Sequence, residues 1–253
     1  MTDATALALP ARIEPVSGPL TFARFAAPPN VLGYCGTEDH DGLVGNLRAG
    51  LDGPELVRLC RSFEGAWPYL ELIAWSAGIA DPLDPRVVEA YWIGGPLLER
   101  VRPNDFALHL GTRFRGRTER GEWSWLASKP GTGAVPHHSF HVLEVMPRIG
   151  MLRAGQVQAI LPAMGQCLVR PAEVLGAEGD ALLVEARALL MHEGRLSLGP
   201  PAPERVAPST SGTRAGDRVA IHWGWSCGAI SAAQSRTLTS TLAAALIRAN
   251  RTI

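Results

Sequence analysis

The sequence has no excess of charge of either sign, and this limits the kinds of partner it can have. Its 253 residues carry 24 lysines and arginines against 24 aspartates and glutamates, so the formal net charge is zero. Lys129 is the single lysine, and arginine supplies the remaining positive charge. Because nucleic acids and anionic membranes select proteins with basic surfaces, we expect neither as a partner.

Long apolar runs are missing as well, and cysteine is scarce. No apolar stretch approaches the ~20 residues that a transmembrane helix needs. The first residues include Asp3 and no basic segment ahead of a short apolar patch, so neither a secretory signal nor a transit peptide is predicted. The sequence therefore predicts a cytoplasmic protein. In that compartment the four cysteines are expected as free thiols, metal ligands or core residues rather than as disulfides.

Hydrophobic periodicity divides the chain into a helical part and a part rich in strands. An apolar stripe over residues 56–67 is typical of an amphipathic helix, and similar patterns recur up to about residue 161. Short alternating segments and turn residues then dominate until a last helix, which begins at a Ser-x-x-Gln capping box over residues 231–234. We predict an α+β protein with a mostly helical domain at 1–161 and a β domain with a C-terminal helix at 162–253.

Two segments are predicted to be irregular. Residues 115–136 are polar and contain glycine and proline, which indicates a long loop with a small hairpin at residues 123–125. Residues 200–213 are rich in proline, serine, glycine and threonine, which indicates a mobile loop inserted within the β domain.

The second half of the chain is organised around two short stretches, CLVRP at 167–171 and GDRVAIHWGWSCG at 216–228. In the second stretch apolar Val219 and Ile221 alternate as in a strand, which ends at His222. Cys167 begins a predicted edge strand, because Pro171 has no N–H to donate to a neighbouring strand. A thiolate at the exposed start of such a strand is the soft ligand that iron or nickel prefers.

These stretches resemble the HypC/HupF family of NiFe-hydrogenase maturation chaperones over roughly residues 166 to 248. The shared motifs are Cys-x-x-x-Pro, then Gly-Asp-x-Val-x-x-His-x-Gly-aromatic, then an amphipathic helix. In this chain they are Cys167 and Pro171, followed by Gly216, Asp217, Val219, His222, Gly224 and Trp225. The complete chain is also similar to an uncharacterised actinobacterial, hydrogenase-associated family that carries Tyr-Cys-Gly and His-His-Ser-Phe-His motifs.

The resemblance implies a small OB-like β-barrel that brings Cys167 and His222 onto one face. It implies that Cys167 binds an iron centre with diatomic ligands and contacts a scaffold protein. His222 is then either a second ligand or a hydrogen-bond donor to the thiolate. The implied partner is a hydrogenase maturation scaffold or the hydrogenase large subunit.

The helical part offers two further groups of ligands. His137, His138 and His141 place three imidazoles within five residues, which suits a divalent transition metal, although a surface histidine cluster is the alternative. Cys35 lies in a glycine-bounded turn close to His40. Its thiol can be a second metal ligand or a nucleophile paired with that histidine, and a plain capping turn is the alternative.

The leading hypothesis is a metallocentre-assembly protein that binds or transfers an iron fragment, with Cys167 and His222 as its reactive pair. The expected cofactor is a transition metal, iron in the first place. The predicted ligands are Cys167, His222, Cys35, His137, His138 and His141. One alternative is a stand-alone metalloenzyme or haem protein that uses the three clustered histidines. Another is a metal-free docking module with a tryptophan-rich surface. Whether the chain turns over a substrate stays open.

Overall fold

The computed structural model describes residues 16–116, 120–145, 157–208 and 212–251. Ten α-helical segments in these ranges are numbered in chain order: α1 (Gly18–Val31), α2 (His40–Ala49), α3 (Pro54–Arg61), α4 (Trp67–Ala77), α5 (Pro85–Trp92), α6 (Pro103–Phe114), α7 (Arg120–Ser128), α8 (His138–Phe140), α9 (Val157–Cys167) and α10 (Ala232–Ala249). Two 3-10 turns, Pro96–Arg100 and Pro130–Thr132, join them, and α8 runs directly into a π-helical segment, His141–Val145. No helix among these described ranges combines the length and apolar character that crossing a membrane requires.

Five strands follow α9 and form a closed sheet. They are β1 (Arg170–Glu178), β2 (Ala181–His192), β3 (Arg195–Pro208), β4 (Arg218–His222) and β5 (Trp225–Ala229), in the order β1-β2-β3-β5-β4. All neighbouring pairs are antiparallel except β3 and β5, which run parallel over two residue pairs. The predicted α+β class is confirmed: helices come first, then the closed sheet, then a C-terminal helix.

Strand β1 is not the edge strand that its proline suggested. It pairs with β2 on one side and with β4 on the other. The ladder to β2 starts only at Ala172, whereas Pro171 lies opposite Ala220 of β4. Proline is tolerated there because only one neighbouring strand is present at its position, at the beginning of β1.

The proline-rich segment was predicted as a loop, and this is wrong for residues 200–208. They form the second half of β3, where Pro201 lies opposite Arg187 and Pro203 opposite Glu185 of β2. Strand β5 pairs with β3 only at residues 207 and 208, so at Pro201 and Pro203 the missing N–H is tolerated where it would point away from β2. Residues 209–211 of the predicted loop lie outside the described ranges.

The hairpin predicted at residues 123–125 is also wrong, because these residues lie within α7. The helix places Trp125 one turn before Lys129, whose ammonium lies 4.0 Å from the centroid of the indole ring. Side chains four residues apart are neighbours on a helix, so this cation–π contact favours the helical conformation.

One continuous core joins the helical part to the sheet. Its buried members include Phe22 and Leu59 from the helices, Leu168 and Ala220 from the sheet region, and Leu238 of α10. A smaller core of eight buried residues fills the inside of the closed sheet. The division predicted at 161/162 falls inside α9, whose last residue leads into the sheet. A site between the two parts can therefore draw side chains from both.

Candidate metal centre

Three side chains from three distant segments meet at the end of strand β4. His138 comes from α8, Cys167 is the last residue of α9, and His222 is the last residue of β4. One potential ligand atom from each lies within 4.8 Å of the others. The Cys167 Sγ and His138 Nε2 atoms are 4.0 Å apart. These three side chains form the triad.

Cys167 reaches this position differently from the sequence prediction. It ends a helix rather than starting a strand, and it is half-buried rather than exposed. The backbone N–H of Trp223 donates to the carbonyl of the preceding residue, Gln166, at 2.9 Å. This bond ties the end of α9 to the turn that follows His222, so the thiol and the imidazole are held next to each other.

His222 is oriented by the turn between β4 and β5. Its partner across the hairpin is Trp225, and the two loop residues, Trp223 and Gly224, have φ angles of +50° and +72°. Positive φ at both central positions is the pattern of a type I′ turn, which asparagine and glycine usually fill. A tryptophan is unusual in that conformation. Its ring stacks on Tyr34, with 4.2 Å between the ring centroids, and this contact helps to hold it there.

The imidazole of His222 is buried and prepared for a ligand. Its Nδ1–H donates to the carbonyl of Phe25 at 2.7 Å. Its Nε2 is buried and has no hydrogen-bond partner within the described part of the chain. The carbonyl of Cys167 lies nearby but is not a hydrogen-bond partner of this Nε2. A carbonyl only accepts hydrogen bonds, and the unprotonated Nε2 has no hydrogen to donate. Burial lowers the pKa of His222 to about 4, although the carbonyls of Phe25 and Cys167 oppose the shift.

His138 is held by two hydrogen bonds. Its Nε2–H donates to the carbonyl of Cys167 at 2.8 Å, and its Nδ1 lies 3.2 Å from the hydroxyl of Tyr91. The ring packs against Trp92, with 4.5 Å between centroids, and meets His222 at 5.2 Å in a T-shaped arrangement. Burial lowers the pKa of His138 well below its ordinary value, and the neighbouring His222 adds to this effect.

The triad faces a cavity of about 110 Å³. This volume is several times the space that one water molecule requires. Its walls are aromatic, apolar, imidazole and thiol groups contributed by Ala26, Pro29, Tyr34, Cys35, Phe63, Ala66, Tyr91, Trp92, His141 and Trp223 together with the triad. A metal bound by three protein side chains would therefore have an open position toward a mostly apolar space.

Cys35 and His141 line this cavity but stand outside the triad. The turn that carries Cys35 is fastened by Asn30, a fully buried residue whose amide donates to the carbonyls of Cys35 at 2.8 Å and of Thr37 at 2.7 Å. Cys35 is exposed to solvent at the cavity mouth. Burial among the surrounding atoms is the larger cause that raises the pKa of its thiol, and the neighbouring Cys167 is the smaller one. Solvent exposure limits the first of these two effects. His40 instead contacts the side-chain oxygen of Asn30 through Nδ1, at 2.9 Å.

His137, a predicted ligand, has a capping role in the structure. It is the N-cap of α8, where its Nδ1 accepts from the backbone N–H of Ser139 at 3.0 Å and lies 2.8 Å from the hydroxyl of that serine. Burial lowers the pKa of His137 to about 3. The ring is thus neutral and engaged on Nδ1, and it does not belong to the triad.

The separation between Cys167 Sγ and His138 Nε2 is close to that of two ligands of one metal. Bond lengths of about 2.0 Å to nitrogen and 2.3 Å to sulfur in a tetrahedral site place these two ligand atoms about 3.5 Å apart. The 4.0 Å between Cys167 Sγ and His138 Nε2 exceeds this by about half an ångström. Side-chain rotation can supply such a movement.

Sequence reasoning missed the residues that hold these ligands in place. Tyr91 belongs to an apolar stripe of α5, and Asn30 follows two prolines near the end of α1, so neither has a local signal for a role at a site. Tyr91 acts through a contact with His138, 47 residues further along the chain, whereas Asn30 acts through the nearby Cys35 turn, where a buried asparagine has no motif that marks it.

Fold and site together define an α+β protein with a buried candidate metal centre of two imidazoles and one thiol. The chain belongs to a family described as a family of unknown function (DUF6390), which matches residues 14–253. Comparisons with curated proteins and with solved structures give no match.

Proposed function

We propose that this protein is a metallocentre-assembly protein that holds a transition metal, iron or an iron fragment, for transfer to a partner. The observation that carries the proposal is the convergence of Cys167, His138 and His222 around one cavity. A thiolate with two neutral imidazoles is a soft to borderline donor set, which suits iron, nickel, copper or zinc better than magnesium or calcium.

Three protein ligands leave room for ligands that arrive with the metal or for a residue of a receiving partner. The motifs that resemble the hydrogenase maturation chaperones contribute two of the three ligands, Cys167 and His222. In that family the cysteine stands next to a free N-terminal amine, whereas Cys167 is internal. His138 lies next to Cys167 and brings a further nitrogen donor from the helical part of the chain. The proposed partner is a hydrogenase maturation scaffold or large subunit.

The test is metal analysis together with infrared spectroscopy on protein purified without oxygen. Wild type is compared with Cys167→Ala, with His222→Ala, and with Cys60→Ala as a control. Cys60 is a buried cysteine of the helical core and does not line the cavity. We expect iron with cyanide or carbonyl stretching bands in wild type and in the control, and loss of both in the two triad variants.

Other outcomes would redirect the proposal. Metal that survives Cys167→Ala without such bands would argue against an assembly role. Wild-type protein that takes up no metal, even after anaerobic reconstitution with Fe²⁺, would contradict the proposal and leave a metal-free docking module as the better explanation.

A second candidate function is a stand-alone metalloenzyme, which the position of the triad at an apolar cavity favours. In such an enzyme the open metal position would activate a small substrate or water. Turnover of a small substrate by the metal-loaded protein that is lost in His138→Ala, Cys167→Ala and His222→Ala, and kept in Cys60→Ala, would support it. A haem does not fit this cavity, because about 110 Å³ lies well below the ~300 Å³ at which pockets for larger organic ligands begin.

A further inference from the structure

The two histidines of the triad differ in how their protons are arranged. In His222 the proton lies on Nδ1, which donates to the carbonyl of Phe25, and Nε2 keeps a lone pair. Metal-binding histidines usually have this arrangement, with the second ring nitrogen donating to a carbonyl or carboxylate. His222 is therefore prepared for a metal without any change of tautomer.

His138 has the opposite arrangement. A carbonyl oxygen only accepts hydrogen bonds, so the 2.8 Å contact to Cys167 requires the proton on Nε2. Yet Nε2 is the nitrogen that lies 4.0 Å from the Cys167 sulfur and would be the ligand. Before Nε2 can bind a metal, its proton must leave and a proton must be taken up at Nδ1.

The hydroxyl of Tyr91 is the group placed to support this exchange. It lies 3.2 Å from His138 Nδ1, and both residues are buried. A hydroxyl both donates and accepts, so it can donate to a bare Nδ1 and accept from a protonated one. Tyrosine ordinarily ionises only near pH ~10, so the group is a hydroxyl at neutral pH.

We propose that Tyr91 is a positioning residue that stabilises both tautomers of His138 and thereby lets this histidine turn from the Cys167 carbonyl to a metal. The inference rests on the proposed function, because it concerns the same triad. Without the hydroxyl, the metal-bound state would contain a buried Nδ1–H with no acceptor. Loss of a hydrogen-bond partner behind a metal ligand typically reduces affinity about 10- to 100-fold.

Tyr69 provides a matched control. It stacks on Tyr91 with 6.0 Å between ring centroids and is equally buried. Its hydroxyl has no hydrogen-bond partner in the described ranges. Tyr91→Phe and Tyr69→Phe therefore each remove a hydroxyl from the same aromatic cluster. Of the two changes, Tyr91→Phe removes the contact with His138.

The experiment uses Zn²⁺ as a diamagnetic probe that accepts nitrogen and sulfur ligands. Affinity is measured by competition with a chelating dye for wild type and for both tyrosine variants, after thermal unfolding shows that each variant is folded. In parallel, nitrogen NMR of histidine-labelled protein identifies the protonated ring nitrogen of His138, with His138→Gln used to assign the signal.

We expect Nε2–H in the metal-free wild type and Nδ1–H after Zn²⁺ binding. We also expect about 10- to 100-fold weaker binding in Tyr91→Phe and unchanged binding in Tyr69→Phe. Zn²⁺ binding that is equal in all three proteins would overturn the role of Tyr91 and leave the proposed function standing, as would Nδ1–H in the metal-free wild type. Wild type that binds neither Zn²⁺ nor Fe²⁺ would contradict the proposed function and this inference together.

Discussion

At the scale of single residues, burial determines the state of the histidines around the cavity. His137, His138 and His222 are each at most 7% exposed. Because burial disfavours the charged imidazolium, all three are neutral at physiological pH. A neutral imidazole is the form that binds a metal. The site can therefore take up a metal near neutral pH without first losing a charge from its histidines.

The same burial predicts that acid destabilises the metal-free protein. The folded-state pKa of His137 is about 3, below the ordinary histidine value of ~6.5 that applies to the unfolded chain. The unfolded chain therefore binds more protons as the pH falls, and stability that is complete above about pH 6.5 is lost toward pH 3. For His137 alone we expect a loss of about 2 kcal/mol between pH 7 and pH 5, measured by urea unfolding.

His137→Asn isolates this effect. Asparagine is a good N-cap residue, so the variant should keep the cap of α8 and lose the titrating group. We expect a shallower dependence of the unfolding free energy on pH than in wild type. His192→Gln, at an exposed histidine outside the core, is the control and should follow the wild-type curve. Parallel curves for His137→Asn and wild type would contradict the prediction.

At the scale of elements, α10 is defined largely by its own sequence. The hydroxyl of Ser231 accepts from the backbone N–H of Gln234 at 3.1 Å, and the side chain of Gln234 accepts from the backbone N–H of Ser231 at 2.8 Å. This is the capping box that the sequence predicts, and the structure confirms it. The helix then packs Leu238 and Leu242 into the core.

Ser231→Ala should destabilise the protein through this cap. The change removes an acceptor for one of the unpaired N–H groups of the first turn, and we expect a loss of about 1 kcal/mol in the free energy of unfolding. Chemical denaturation measures it. Ser240→Ala in the exposed middle of the same helix is the control and should be neutral or slightly stabilising, because alanine has the higher helix propensity. Equal effects at the two serines would argue against the cap.

At the scale of the whole molecule, a buried ionic group links segments that are far apart in the chain. Glu144 is fully buried in the π-helical segment and lies 3.4 Å from Lys129 Nζ and 3.1 Å from Arg248 Nε. The single lysine of the chain and a residue near the end of α10 thus meet one carboxylate of the π-helical segment that follows α8. This group ties the end of α7, the π-helical segment and α10 to one another.

Glu144→Gln should be strongly destabilising. Removing the carboxylate charge takes one ionic partner away from each of two buried cations, and breaking a buried pair in this way typically costs about 3–5 kcal/mol. Denaturant unfolding measures the loss. Glu178→Gln removes an exposed partner of Arg205 and is the control, with an expected effect of about 0–1 kcal/mol. A loss below about 1 kcal/mol for Glu144→Gln would show that the buried charges are compensated in another way.

The sequence by itself determined the features that depend on neighbouring residues. Periodicity predicted the α+β class and the strand that ends at His222, and the capping box predicted the start of α10. The same local reasoning failed at residues 123–125 and at residues 200–208. There, contacts with Lys129 and with strand β2 outweighed the local tendency toward a turn or a loop.

Only the tertiary structure decided which potential ligands meet. The sequence offered three histidines within five residues as equally good ligands, and packing selected His138 for the triad while His137 became a helix cap. The role of Tyr91 also depends on a contact between distant segments. The physical reason is that ligand identity is a local property of the sequence. The distance between two ligands is set by how helices and strands far apart in the chain share one core.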